Sequence, residues 1–166
     1  LTCLLLMNSK ALANDFDKWL INFKKLAIET GISKDTVNKV MSKAIFLPKV
    51  IEYDRYQPEF YEDTKTYIEK RTSARKVING KKIFKQNLIL INKIEKNFDV
   101  EKELLLALMG IETNFGKYLG KMDIISSLAT LSYDQRRTEF FSNELLTILK
   151  LIDDEIIDPS ILYGSW

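Results

Sequence analysis

The chain has 166 residues, 46% of them hydrophobic, interrupted by only three prolines and six glycines, which suits one compact domain with a sizeable core. Its 25 Lys and Arg against 23 Asp and Glu leave a formal net charge of +2, which offers no strong electrostatic case for nucleic acid or an anionic membrane as partner. With no histidine, a Ser-His-Asp triad, a Cys-His pair and most zinc sites are excluded, so acid-base chemistry falls to carboxylates, Tyr or Lys.

Leu1 to Met7 form a short apolar run, followed by Asn8-Ser9-Lys10 and then Ala11-Leu12-Ala13, a small-x-small ending of the kind signal peptidases cut. The run is too short to span a bilayer and lacks an initiating Met and a basic front. Residues 1–13 therefore read as the remnant of a secretory signal, with cleavage after Ala13; the alternative is an ordinary buried helix start. A lipoprotein reading of Leu1-Thr2-Cys3 is weak because Thr2 is larger than the usual residue before a lipidated Cys. Membrane association is expected only if Cys3 is lipidated.

The rest reads as helices, with no alternating strand run, so the fold class is all-α. Phe16, Trp19, Leu20, Phe23, Leu26 and Ala27 recur at helical spacing, and Gly31 closes that segment. Ser33 is placed to cap a second helix through Val37, Val40 and Met41. Ile45 to Pro58 carries two prolines and no helical period, which predicts an extended connector. A helix through Tyr61 to Lys70 follows. Ser73 then caps a longer one with Val77, Phe84, Leu88, Ile91 and Phe98 inward, with a break expected near Asn79-Gly80. Asp99 is expected to cap the next helix, with Glu101 and Glu103 in its first turn. Two more follow, around Ile124 to Tyr133 and from about Arg137 to Asp153, the latter with Phe141, Leu145, Ile148 and Ile152 on one face.

Residues 104–116, Leu-Leu-Leu-Ala-Leu-Met-Gly-Ile-Glu-Thr-Asn-Phe-Gly, place one carboxylate, Glu112, at the end of a segment apolar all the way round. Leu105, Leu108 and Met109 share its helix face. Most glutamates sit on solvated helix faces, but one placed here is expected to lose water, which disfavours its ionised form and suits a general acid.

Glu112, Thr113 and Gly116 form a Glu-Thr-x-x-Gly pattern that resembles the catalytic signature of lytic murein transglycosylases of the membrane-bound B type, a lysozyme-like family acting on peptidoglycan. The resemblance extends over nearly the whole chain after residue 14. It takes in Asp54-Arg55-Tyr56-Gln57-Pro58-Glu59-Phe60, Leu128-Ala129-Thr130-Leu131-Ser132-Tyr133-Asp134 with Arg136-Arg137, and Gly164-Ser165-Trp166, all in order. It implies a lysozyme-like helical transglycosylase domain, of which residues 14–166 would be the N-terminal part.

By the same resemblance, Glu112 protonates the glycosidic oxygen between N-acetylmuramic acid and N-acetylglucosamine. Then, ionised, it removes the proton of the muramyl C6 hydroxyl and closes a 1,6-anhydro ring. A carboxylate that has donated its proton becomes a base, so one residue serves both steps. Substrate-assisted glycosidases dispense with the second carboxylate, and no metal or organic cofactor is required. The resemblance further implies that Arg136 and Arg137 contact sugar amides, the lactyl carboxylate or the peptide stem, and that Ser165 holds an N-acetyl group or hydroxyl. Tyr67 is matched by spacing to a groove tyrosine. For the arginine pair the plain alternative is a helix start held by salt bridges. Asp54, Arg55, Gln57 and Glu59 are expected to fix the connector.

In the family, Gly-Ser-Trp continues into a small-residue loop, a Gln-Phe-Met-Pro segment and a further half domain, whereas this sequence stops at Trp166. The expectation is a truncated domain with a one-walled groove, folding as helices, prone to association, and cleaving peptidoglycan poorly by itself. The expected partners are peptidoglycan glycan strands and a separately encoded C-terminal half. A non-catalytic peptidoglycan-binding remnant is the competing reading. A helical partner-binding protein unrelated to the cell wall explains the apolar helices but not the ordered motifs.

Overall fold

The computed structural model describes residues 2–57 and 60–164, with side chains from Asp15 onward. Nine α-helices follow one another among them: α1 (Thr2–Glu29), α2 (Lys34–Met41), α3 (Pro48–Arg55), α4 (Thr64–Arg71), α5 (Ala74–Gln86), α6 (Leu88–Phe98), α7 (Lys102–Thr113), α8 (Ile124–Tyr133) and α9 (Thr138–Asp153). The sheet content is one two-residue antiparallel pairing of β1 (Met122–Asp123) with β2 (Tyr163–Gly164). Among the described residues, no helix is long and apolar enough to cross a membrane. The chain, read as one domain from its composition, forms two compact units: one from residues 2–56 and 121–164, the other from residues 57 and 60–120.

The first unit holds the main core. Phe16, Phe23 and Ala27 of α1, Val37 and Met41 of α2, Ile125 and Ala129 of α8, and Leu145 and Leu149 of α9 bury together. Phe16 packs its ring against Trp19, Phe46 and Tyr133 at centroid distances of 5.6, 5.4 and 5.6 Å. Leu26, grouped with the inward face by its spacing, is 44% exposed. Helix α1 closes on Gly31 at φ +94°, where the Ile32 and Gly31 N–H groups return to the Ala27 and Ile28 carbonyls. Ser33 then caps α2 by accepting the Thr36 N–H.

The expected extended connector from Ile45 to Pro58 is interrupted by helix α3. Pro48 begins that helix at a position where the missing N–H is no loss and the fixed φ suits helical backbone. The short non-helical stretch before it is pinned to α8 by the Ile45 N–H on Ser126 Oγ (3.2 Å) and the Leu47 N–H on Thr130 Oγ1 (2.9 Å). Those two bonds account for Ser126 and Thr130 as buried polar residues of α8. Helix α8 is itself capped by Asp123, whose carboxylate accepts the Ser126 N–H at 2.7 Å.

The second unit departs further from expectation. Helix α4 starts at Thr64 behind an Asp63 cap, three residues after Tyr61. Ser73 caps α5 as expected, but the helix runs through Gly80 and breaks at Asn87 instead. Of the residues expected to face inward, Ile91 is buried whereas Val77, Leu88 and Phe98 are exposed. Asp99 does not cap α7: its left-handed backbone, φ +52°, terminates α6. Glu95 supplies the missing acceptor, taking the Lys102 N–H at 3.2 Å and its Nζ at 3.0 Å. Those bonds from Lys102 hold the Glu95 carboxyl below its ordinary pKa.

Candidate active site

Helix α7 carries Glu112 in its last turn, and the residues after it are held in an unusual backbone. Asn114, Phe115 and Gly116 have φ of +49°, +59° and +77°, three left-handed residues in succession. Thr113 organises that reversal. Its Oγ1 donates to the Met109 carbonyl (3.1 Å) and accepts the Gly116 N–H (2.8 Å), while its own carbonyl accepts the Tyr118 N–H (2.8 Å). The Phe115 N–H returns to the Met109 carbonyl at 2.8 Å. The Glu-Thr-x-x-Gly spacing is thus a helix stop: Thr supplies a hydroxyl for both partners and Gly accepts the positive φ without a Cβ penalty.

Phe115 is locked in place from behind. A Cβ added to Gly110 of α7 would lie 2.9 Å from Phe115 Cζ, and one added to Gly80 of α5 would lie 3.2 Å away. Two glycines on neighbouring helices therefore leave the slot that the ring fills. A side chain at position 80 would crowd that ring, so a glycine suits this place inside α5.

Glu112 lines a cavity of about 610 Å³ with Ser73, Arg75, Lys76 and Asn79 of the α5 region and Ile111, Asn114, Lys117 and Tyr118 around the α7 turn. Volumes of about 300–1,000 Å³ are usual for small-ligand sites. Glu112 is the only carboxylate among those lining residues. The burial expected of it is not found: Glu112 is exposed, and Leu104, Leu108, Met109 and Ile111 of the same helix are 52%, 49%, 38% and 43% exposed. Apolar sequence all round α7 does not bury it, because its main packing partners are the two helices α5 and α6, which leave much of its surface open.

Tyr67 is half-buried on α4 of the same unit, beneath the Arg71 guanidinium, whose carbon lies 3.7 Å from the ring centroid. Arg136 and Arg137 belong to the first unit, between α8 and α9, and converge on Asp54. The Asp54 side chain is 1% exposed and lies 3.1 Å from Arg136 Nε and 3.7 Å from Arg137 Nη1, while neither of its oxygens has a hydrogen-bond partner among the described residues. Ion pairing with the arginines therefore compensates for burying this charge. Arg137 also lies over the Phe140 and Phe141 rings. Arg55 donates to Asp134 at 2.6 Å, so the Asp54-Arg55 motif ties α3 to the turn between α8 and α9. Ser165 and Glu59 lie outside the described residues.

Sequence reasoning missed Arg75, Lys76, Asn79, Lys117 and Tyr118 as cavity residues. Lys117 and Tyr118 directly follow the Gly116 turn and could have been found from it. Arg75, Lys76 and Asn79 arrive from a different helix, and no local spacing signals them.

The architecture is helical, with a glutamate at the end of one helix lining a cavity. Residues 15–166 match the transglycosylase SLT domain family, and the chain belongs to it. It is 37% identical over 101 residues to the membrane-bound lytic murein transglycosylase B of Escherichia coli K12, a stretch that is 60% of this chain and 28% of that protein. Among solved structures it resembles SltB3 of Pseudomonas aeruginosa in complex with NAG-NAM-pentapeptide, with a TM-score of 0.79 and 31% identity over 91% of this chain and 40% of that one. The same protein in complex with NAG-anhNAM-pentapeptide matches equally, with a TM-score of 0.79. The Escherichia coli lytic transglycosylase Slt35 in complex with bulgecin A follows, at a TM-score of 0.73 and 29% identity, covering 88% of this chain and 48% of that one. The chain thus spans less than half the length of these relatives.

Proposed function

We propose that this chain provides the acid-base machinery of a peptidoglycan lytic transglycosylase, cleaving the MurNAc–GlcNAc β-1,4 bond with formation of 1,6-anhydromuramic acid. The observation that carries the reading is the single carboxylate of the cavity, Glu112, in a chain of this family. Hydrolysis through a pair of carboxylates needs a second acid across the bond. A cavity with one acid suits a reaction whose nucleophile is supplied by the substrate, here the muramyl C6 hydroxyl. The relative solved with NAG-anhNAM-pentapeptide holds a sugar of the kind this reaction would form.

In the mechanism, Glu112 gives its proton to the glycosidic oxygen as the bond to the muramyl C1 breaks. The resulting carboxylate then takes the C6 hydroxyl proton as that oxygen closes on C1, which restores the acid. A glycan seated in the cavity displaces water from around the reacting atoms. Arg136 and Arg137, 44% and 42% exposed beside Asp54, keep guanidinium N–H groups for sugar amides or carboxylates. Tyr67 and Ser165 complete the proposed glycan contacts. Peptidoglycan as the proposed substrate supports a periplasmic location.

The test is digestion of purified sacculi, by the chain and by the chain extended to the length of its relatives, with products read by mass spectrometry. Release of anhydromuropeptides by either form is the expected result. Reducing-end products without the anhydro ring, or no release by either form, would contradict the reading.

A further inference from the structure

Among the described residues Asp54, in the last turn of α3, is the only charged one that is buried. It faces two guanidiniums, whereas the ion pair beside it, Arg55 with Asp134, is balanced one to one. For the fold alone one arginine would balance Asp54, and the second adds repulsion between like charges. The cluster thus keeps one positive charge in excess, on two side chains that reach solvent. Arg137 is held from a second side, its guanidinium carbon 4.7 and 4.8 Å from the Phe140 and Phe141 ring centroids. Asp54 is too enclosed to touch a glycan. It does fix one nitrogen of each arginine, Nε of Arg136 and Nη1 of Arg137, which leaves their other N–H groups open.

We propose that Asp54 is a positioning residue, holding Arg136 and Arg137 side by side and ordered before the glycan arrives. The inference rests on reading those two arginines as glycan contacts, and it adds the group that prepares them. Side chains ordered in advance need not be ordered by the ligand, and freeing two long ones costs roughly five- to a hundredfold in affinity. Removing the Asp54 charge by itself acts the other way. For a ligand that carries carboxylates it raises the attraction up to roughly fivefold at a solvent-screened site. The ordering effect is the larger, so losing the Asp54 charge should weaken binding even though it leaves the site more positive.

The experiment measures binding of NAG-NAM-pentapeptide to the full chain by calorimetry and follows the arginine Nε–H resonances by NMR. In the parent, the Nε protons of Arg136 and Arg137 should exchange with water more slowly than that of exposed Arg75, and should shift when the ligand binds. Asp54→Asn keeps the shape of the side chain. It should abolish that protection and lower affinity by roughly three- to thirtyfold. Arg136→Gln with Arg137→Gln should lower affinity too, and Asp54→Asn added to that pair should change it no further, since nothing is left to position. Arg55→Gln, which breaks the neighbouring pair with Asp134, should leave affinity unchanged. A purely structural Asp54 would lower the thermal midpoint and leave the affinity of the folded protein alone. Unchanged or tighter binding by folded Asp54→Asn, an equal loss in Arg55→Gln, or freely exchanging Nε protons in the parent would overturn the positioning role and spare the arginine contacts. Undiminished binding by the double arginine variant, or no binding by the parent, would overturn both. If Asp54→Asn does not fold, the exchange rates in the parent decide by themselves.

Discussion

Helices α7 and α8 are both short and both rich in apolar residues, yet they end in opposite environments. In α8, Ile125, Ala129 and Leu131 are buried, and so are Ser126, Ser127, Thr130 and Ser132. In α7 only Gly110 is buried, while Leu104 and Leu108 are about half exposed. The difference lies in the neighbours: α1, α3 and α9 pack round α8, whereas α7 packs mainly against α5 and α6. Apolar composition lets a helix be buried; the elements packed round it decide whether it is. The consequence for function is a division of labour, with a well-packed first unit around α8 and a second unit whose open helix ends carry the candidate acid.

The largest effects should come from substitutions that set the two units against each other. Leu145, fully buried between α9 and its neighbours, should cost about 2–5 kcal/mol when changed to Ala. Leu108→Ala on α7 should stay within about 0.5 kcal/mol, as exposed sites do. Urea denaturation followed by tryptophan fluorescence for the first unit and amide exchange for α7 would measure both, and equal losses would break the comparison. Gly110→Ala should come next, at about 1–3 kcal/mol, because the new Cβ would meet the Phe115 ring 2.9 Å away. Gly80→Ala, with 3.2 Å to the same ring, should cost less. Faster exchange at the Gly116 and Tyr118 amides in the Gly110 variant alone would show that the ring anchors the turn after Glu112.

The smallest effect is a pH dependence in the first unit. Asp153 accepts the Ser33 hydroxyl and the Ser33 N–H, and these bonds lower its pKa from 3.8 to about 2. The folded pKa is below the unfolded one, so the carboxylate stabilises the fold at neutral pH, and the contribution is lost as pH falls from about 4 toward 2. Asp153→Asn should therefore lower the thermal midpoint at pH 7 and match the parent near pH 2. A gap of constant size across that range would contradict the assignment.

Helix existence was legible in this sequence because caps and apolar spacing act locally: Ser33, Ser73 and the Gly31 stop all behave as their chemistry predicts. What failed was either ambiguous locally or decided at long range. Pro48 could start a helix as well as prevent one, and Asp99 could cap a helix or end one. Gly80 reads as a breaker until Phe115 is seen to need its missing side chain. In the candidate site, the Gly-closed turn after Glu112 was readable from five residues, whereas the exposure of Glu112 was not. The Asp54 partners of Arg136 and Arg137 and the cavity residues from α5 depend on contacts between distant segments.

The central claim is that Glu112 is the acid and then the base of a glycan-cleaving cavity, and one substitution tests it most directly. Glu112→Gln keeps the shape of the side chain and removes its exchangeable acid. In the form of the protein that digests sacculi, it should reduce anhydromuropeptide release by roughly a hundred- to ten-thousand-fold, with the helical circular dichroism and the thermal midpoint retained. Undiminished anhydromuropeptide release from the folded variant would contradict the account.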